Sequence, residues 1–157
     1  MNRFVYESEN EEATARLGAA LAEVLPDGAV VALRGDLGSG KTRLTQAVAD
    51  ALGIDRREVL SPTFVLLQEH HGRRSLYHFD VYRIRDLDEF EALGPEEYFD
   101  RGGLVMIEWA DRVAAGLPPK RIEIQIEITG PDSRRFEIFA IGRLYGDAIE
   151  RLISIVT

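Results

Sequence analysis

A chain of 157 residues with 45% apolar and 29% charged side chains has ordinary globular composition, and its length points to one domain over 1–157 with one proper hydrophobic core. The absence of cysteine excludes disulfides and cysteine-ligated zinc. No apolar run approaches the roughly 20 residues of a membrane span, and with no signal-peptide core in the first residues a cytoplasmic location is expected. Nineteen basic against 27 acidic residues leave a net charge of −8, which disfavours a broad wrap around nucleic acid, where affinity comes from neutralising phosphates.

Along the chain, Ser8-Glu9-Asn10-Glu11 has the pattern of a capping box with serine as N-cap. Ala13, Leu17, Ala20, Leu21 and Val24 then recur at helical spacing until Pro26-Asp27-Gly28. Ala29 to Leu33 is a continuous apolar run, which predicts a strand buried on both faces. A helix is expected from Lys41 to Leu52, stopped by Gly53. Two strands, Phe64 to Glu69 and Ser75 to Tyr82, flank the turn His71-Gly72-Arg73, and a short helix spans Leu87 to Leu93. Leu104 to Ile107 is a second buried strand. Ile122, Ile124, Ile126 and Ile128 alternate with polar residues, as in a half-exposed strand, and Phe136 to Ile141 pairs with it across Gly130-Pro131-Asp132. A last helix runs from about Gly146 to Ile155. Early βα elements followed by hairpins predict a three-layer α/β fold of P-loop NTPase type with a mixed β-sheet.

Gly35-Asp36-Leu37-Gly38-Ser39-Gly40-Lys41-Thr42 matches G-x-x-x-x-G-K-[ST] at every fixed position, between an apolar strand and a helix. Gly35, Leu37, Gly38, Ser39 and Gly40 are therefore expected to turn backbone N–H groups toward phosphate oxygens, helped by the positive end of the helix. Lys41 is suited to reach the outer phosphates, and the Thr42 hydroxyl to ligate magnesium. Lys41 is one of only two lysines beside 17 arginines, so a lysine at the motif position is unlikely to be coincidence. ATP with magnesium is the expected ligand.

Magnesium at such a loop needs a carboxylate from a neighbouring strand end. Asp80 follows Leu76-Tyr77-His78-Phe79, and Glu108 follows Leu104 to Ile107. One is expected to hold the metal and the other to orient the attacking water; the residues alone do not assign the roles, and salt-bridged strand ends are the plain alternative. Trp109, the only tryptophan, either flanks the nucleotide or caps the core. Ser61-Pro62-Thr63 either meets a γ-phosphate or caps a strand. His70, His71 and His78 lack a metal-binding pattern and are assigned to packing or surface.

These residues resemble one family. The loop at 35–42, Thr14-x-x-Leu17-Gly18, Ser61-Pro62-Thr63-Phe64, His78-Phe79-Asp80-Val81-Tyr82-Arg83, Leu93-Gly94, Glu97-Tyr98-Phe99 and Ile107-Glu108-Trp109 occur in the order and spacing of TsaE, the bacterial ATPase of tRNA threonylcarbamoyladenosine biosynthesis. The resemblance implies an ATPase that works with TsaB and TsaD and meets tRNA only through that complex. It also implies Lys41 and Thr42 as phosphate and magnesium contacts, Asp80 as the Walker-B-like acid, Glu108 as a magnesium and catalytic acid, and Trp109 beside the nucleotide. Arg134, in Gly130-x-x-x-Arg134, is a further nucleotide-contact candidate. Ser39 departs from the usual alanine, and Ala110-Asp111 from the common proline and glutamate.

The residues also bear on three other functions. A GTPase needs an N/T-K-x-D segment, and none is present. A small-molecule kinase wants an arginine-rich lid, and Arg56-Arg57 and Arg73-Arg74 are too sparse for one. A nucleotide-sensing interaction module shares the loop and is separated from an ATPase only by turnover with partners.

Overall fold

The computed structural model describes residues 2–60 and 66–157. Seven strands form one sheet in the order β1-β7-β6-β2-β5-β4-β3. They are β1 (Asn2–Ser8), β2 (Val30–Gly35), β3 (Leu67–His71), β4 (Ser75–Asp80), β5 (Leu104–Glu108), β6 (Arg121–Ile128) and β7 (Arg134–Ile141). The centre is parallel, β6 to β2, β2 to β5 and β5 to β4. Antiparallel pairs close both ends, β1 with β7, β7 with β6, and β3 with β4. The mixed sheet expected from the sequence is therefore the one observed.

Helices cover the sheet on two sides. One face carries α1 (Glu11–Val24), α2 (Lys41–Ala51) and α5 (Arg143–Val156), packed on Val31, Leu33, Leu76, Met106, Ile124, Phe136 and Ile138. The other carries the short helices α3 (Leu87–Glu91) and α4 (Pro95–Phe99) and the 3-10 segment Ala110–Gly116, packed on Val30, Ala32, Phe79, Val105 and Ile107. β2 and β5 thus lie between two layers, which is why both read as unbroken apolar runs. β6 keeps one face polar, and its isoleucines at 122, 124 and 126 all point to the large helical layer. No helix among the described residues is long and apolar enough to cross a membrane.

Several boundaries differ from the sequence reading for identifiable reasons. β1 was not expected, although Phe4 and Tyr6 turn inward between Arg3, Val5 and Glu7 as a two-residue period requires. Because β1 continues to Ser8, paired with Arg134, Ser8 is not the N-cap. Asn10 is, its side chain accepting from the Ala13 N–H at 2.9 Å, while the Ser8 hydroxyl donates to the Asn10 carbonyl and meets Thr14 Oγ1 at 2.7 Å. α4 and the 3-10 segment were missed, being too short for periodicity to register. α5 starts at Arg143, three residues before the expected Gly146.

α1 and α2 cross at close quarters, and Gly18 makes this possible. A Cβ there would stand 2.4 Å from Ala47 Cβ and 2.8 Å from the Ala47 carbonyl carbon, too close for any real contact. The alanine gain in helix propensity is about 1 kcal/mol, whereas forcing a packed helix pair apart costs about 1–3 kcal/mol. Gly18→Ala is expected to lower stability by about 1–2 kcal/mol in urea unfolding, without rescue by Ala47→Gly, because the Ala47 carbonyl carbon still blocks the added Cβ. An unchanged or raised unfolding midpoint for the single variant would contradict this packing account.

Candidate functional site

The parallel register aligns three strand ends. Leu33 of β2 lies opposite Glu108 of β5, and Glu108 lies opposite Asp80 of β4. β2 then runs into the loop 35–40, which returns as α2. In open α/β sheets such carboxyl ends, where successive connections leave toward opposite faces, are where ligands settle. Gly35 sits at φ +152°, and a Cβ on it would lie 2.5 Å from Ser39 Oγ and 2.7 Å from the Ile126 carbonyl oxygen. No side chain larger than hydrogen fits that bend. Gly40 is the N-cap of α2 and offers no side-chain cap, so the first N–H groups of α2 have no side-chain acceptor at that end.

Lys41 and Thr42 open α2 and point back over the strand ends. Lys41 Nζ donates to the Gly35 carbonyl at 2.7 Å, the Asp36 carbonyl at 2.9 Å and Ser39 Oγ at 3.4 Å. It also lies 3.8 Å from the centre of the Trp109 ring, a cation–π contact. Burial pushes the Lys41 ammonium below its ordinary range, and the carboxylates of Glu108, Asp80, Asp111 and Asp36 oppose that shift. Thr42 Oγ1 donates to both oxygens of Glu108, at 2.7 and 3.0 Å. Glu108 is 2% exposed and Asp80 3%, and Asp80 Oδ1 accepts the Tyr82 N–H at 3.1 Å.

Trp109 is the only described residue other than glycine with positive φ, at 62°. Holding a bulky residue there costs on the order of 1–3 kcal/mol. The strain turns the ring back over Lys41, where Tyr82 packs on it with centroids 4.8 Å apart. Arg112 lies 5.8 Å from the Trp109 ring and 5.4 Å from that of Tyr82.

Arg134 lies at the other flank of the loop. Its Nε donates to the Ser39 carbonyl at 2.8 Å and its Nη2 to the Gly38 carbonyl at 3.4 Å, while Nη1 holds the Gly130 and Ser133 carbonyls. The guanidinium ties the loop to the β6–β7 hairpin. Beside it, a cavity of about 230 Å³ is lined by Thr14, Gly38, Arg43, Pro131, Arg134 and Phe136, among others. A larger cavity of about 490 Å³, lined by Gly28, Phe99, Lys120 and Tyr145 among others, contains none of the phosphate, metal or nucleotide contacts expected from the sequence.

The structure thus brings Gly35, Gly38, Ser39, Gly40, Lys41, Thr42, Asp80, Glu108, Trp109 and Arg134 to one end of the sheet; Leu37 is there too, 74% exposed at the loop tip. Ser61, Pro62 and Thr63 lie outside the described residues. The histidines divide. His71 is exposed and bonds Ser75 Oγ at 3.0 Å. His70 is buried, and burial, with His78 next, pushes its imidazole below the ordinary range. His78, assigned to packing from the sequence, instead donates from Nε2 to Glu108 Oε2. Its place could have been suspected from the spacing His78-x-Asp80, which puts both side chains on one face of a strand.

The chain has relatives of known family and fold. The family model for "Threonylcarbamoyl adenosine biosynthesis protein TsaE" matches residues 8–136. The tRNA threonylcarbamoyladenosine biosynthesis protein TsaE of Bacillus subtilis is 43% identical over 145 residues, covering 92% of this chain and 88% of that protein. Its counterpart in Treponema pallidum is 39% identical over 131 residues, covering 83% and 96%. The crystal structure of Bacillus subtilis YdiB superposes with a TM-score of 0.81 at 34% identity, covering 98% of this chain and 95% of that one.

Proposed function

The chain belongs to the TsaE family, and we propose that within tRNA threonylcarbamoyladenosine biosynthesis it is the ATP-hydrolysing component, supporting repeated turnover of TsaB and TsaD. The observation that carries this reading is the contact of Thr42 Oγ1 with both oxygens of Glu108. A motif threonine and a strand-end acid, the two oxygen donors that a phosphate-loop magnesium uses, lie side by side.

The residues fit that metal. The donors are a hydroxyl and carboxylates, as a hard cation requires. Among the described residues no cluster of three or more His, Asp or Glu side chains forms a metal cage, and a magnesium ion in this class of site takes its remaining ligands from phosphate and water. Thr42 and Glu108 would hold it, and Asp80, on the adjacent strand, would orient the attacking water and draw its proton. Magnesium, when bound, neutralises charge on the outer phosphates. Lys41, now held by loop carbonyls, exchanges them for phosphate oxygens. The Trp109 ring limits where the ammonium can go, and Arg134 holds the loop backbone that carries the N–H donors. The cavity beside Gly38 and Gly40, lined also by Thr14, Arg43 and Pro131, would take the nucleoside.

Charge supports an indirect relation to tRNA. Among the described residues, nine of the 17 arginines sit in ion pairs with carboxylates, and Arg134 is spent on carbonyls. The net charge of −8 opposes the approach of a phosphate backbone.

Lys41→Ala is expected to weaken Mg–ATP binding by about 1.5–3 kcal/mol, roughly 10- to 150-fold. Glu108→Ala and Asp80→Ala are expected to slow hydrolysis far more than they weaken binding, since they act on charge that develops in the transition state. Calorimetric binding by Lys41→Ala equal to wild type would contradict the nucleotide assignment.

The partner relation has its own test: hydrolysis by the isolated chain should be slow and should rise when purified TsaB and TsaD are added. tRNA should bind the three-protein assembly and not the isolated chain at the same salt. Full hydrolysis without partners, or submicromolar tRNA binding by the chain alone near physiological salt, would overturn this division of labour.

A further inference from the structure

We propose that His78 is a positioning residue for Glu108, held in turn by Gln68; the inference rests on the reading of Glu108 as the magnesium-side carboxylate. Glu108 is 2% exposed, and a buried carboxylate keeps its charge only when hydrogen-bonded. Its side-chain partners are Thr42 and His78. The Thr42 hydroxyl is the group a magnesium ion would share, so the contact independent of the ligand is the one from His78. The His78 side chain has no exposed surface; it reaches no substrate and acts only through Glu108.

The register explains how the ring comes to be there. Gln68 lies directly opposite His78 in the antiparallel β3–β4 pair, and Glu108 lies opposite Asp80, two residues further along β4. Gln68, His78 and Glu108 therefore form a diagonal row on the sheet face beneath α2. Gln68 Oε1 accepts the Leu60 N–H at 3.3 Å and meets His78 Nδ1 at 3.4 Å. A backbone N–H can only donate, so the amide atom facing it is the oxygen, and that same oxygen lies beside His78 Nδ1. The ring is clamped at both nitrogens. From the other side, Gln46 of α2 donates to the Val59 carbonyl at 2.8 Å, so the backbone that anchors Gln68 is itself tied to the helix carrying Lys41 and Thr42. A histidine that merely filled the core would need neither of these partners, and leucine would replace it.

The test compares His78→Leu, which removes both ring nitrogens, with His78→Gln, which restores an amide donor toward Glu108. Each full-length variant is assayed for ATP hydrolysis with TsaB and TsaD. Manganese affinity in the presence of ADP is measured by electron paramagnetic resonance. Partners behind a metal ligand typically matter 10- to 100-fold. His78→Leu should therefore lose roughly 10- to 100-fold in kcat and about 10-fold in manganese affinity, with KM for ATP changed less than about 3-fold. His78→Gln should recover most of both. If His78→Leu does not fold, Gln68→Leu carries the test, with a smaller fall in the same two quantities. Wild-type kcat and manganese affinity in His78→Leu, or in Gln68→Leu where it stands in, overturn the proposal. Equal losses in the leucine and glutamine variants that follow their melting temperatures overturn it as well. A wild-type chain that binds no manganese–ADP overturns the nucleotide reading itself and this inference with it; binding by wild type with no effect of His78→Leu overturns the inference alone.

Discussion

Four ionisable side chains, Lys41, His78, Asp80 and Glu108, are each 5% exposed or less and meet at one corner of the sheet. Isolated, each buried charge would cost several kcal/mol. Together they are tolerable because opposite charges and hydrogen-bond donors face one another: His78 and Thr42 on Glu108, the loop carbonyls and the Trp109 ring on Lys41. Most of the architecture serves this convergence. The parallel β2–β5–β4 core aligns the strand ends, the loop at 35–40 turns α2 back over them, and the glycine at 18 lets α1 press α2 into place.

The arrangement also explains features that stability alone would disfavour. Trp109 accepts a left-handed backbone to lay its ring over the lysine. Arg134 spends its guanidinium on carbonyls of the loop and hairpin and forms none of the described ion pairs. Both hold a flexible glycine-rich backbone in one shape, and strain that persists where surrounding contacts enforce it is a mark of functional sites.

Much of this was legible in the residues. The loop 35–42 announces itself because its spacing encodes a bend between a strand and a helix, and Asp80 and Glu108 because each ends an apolar run. What could not be read is what depends on register. That His78 reaches Glu108 follows from which residues of β3, β4 and β5 lie opposite one another, a fact of pairing that period-2 alternation does not contain. Arg134 was singled out only by resemblance; that it grips the Gly38 and Ser39 carbonyls depends on how the β6–β7 hairpin lies against the loop. Ser8 lost the helix cap to Asn10 because β1, invisible in a short mixed stretch, carries the chain two residues further than a capping box allows. Asp111, noted only as a departure from a common glutamate, adds a carboxylate field at Lys41.

On the proposed reading, Lys41, Thr42 and the strand-end acids share one metal–phosphate site. The most direct measurement is a crystal structure of the chain with manganese and a non-hydrolysable ATP analogue, locating the metal by its anomalous signal. One peak is expected at coordination distance, about 2–2.2 Å, from Thr42 Oγ1, next to Glu108, with the phosphates along the N–H groups of residues 35–42. A nucleotide seated elsewhere, or a metal peak away from Thr42 and both acids, would contradict it.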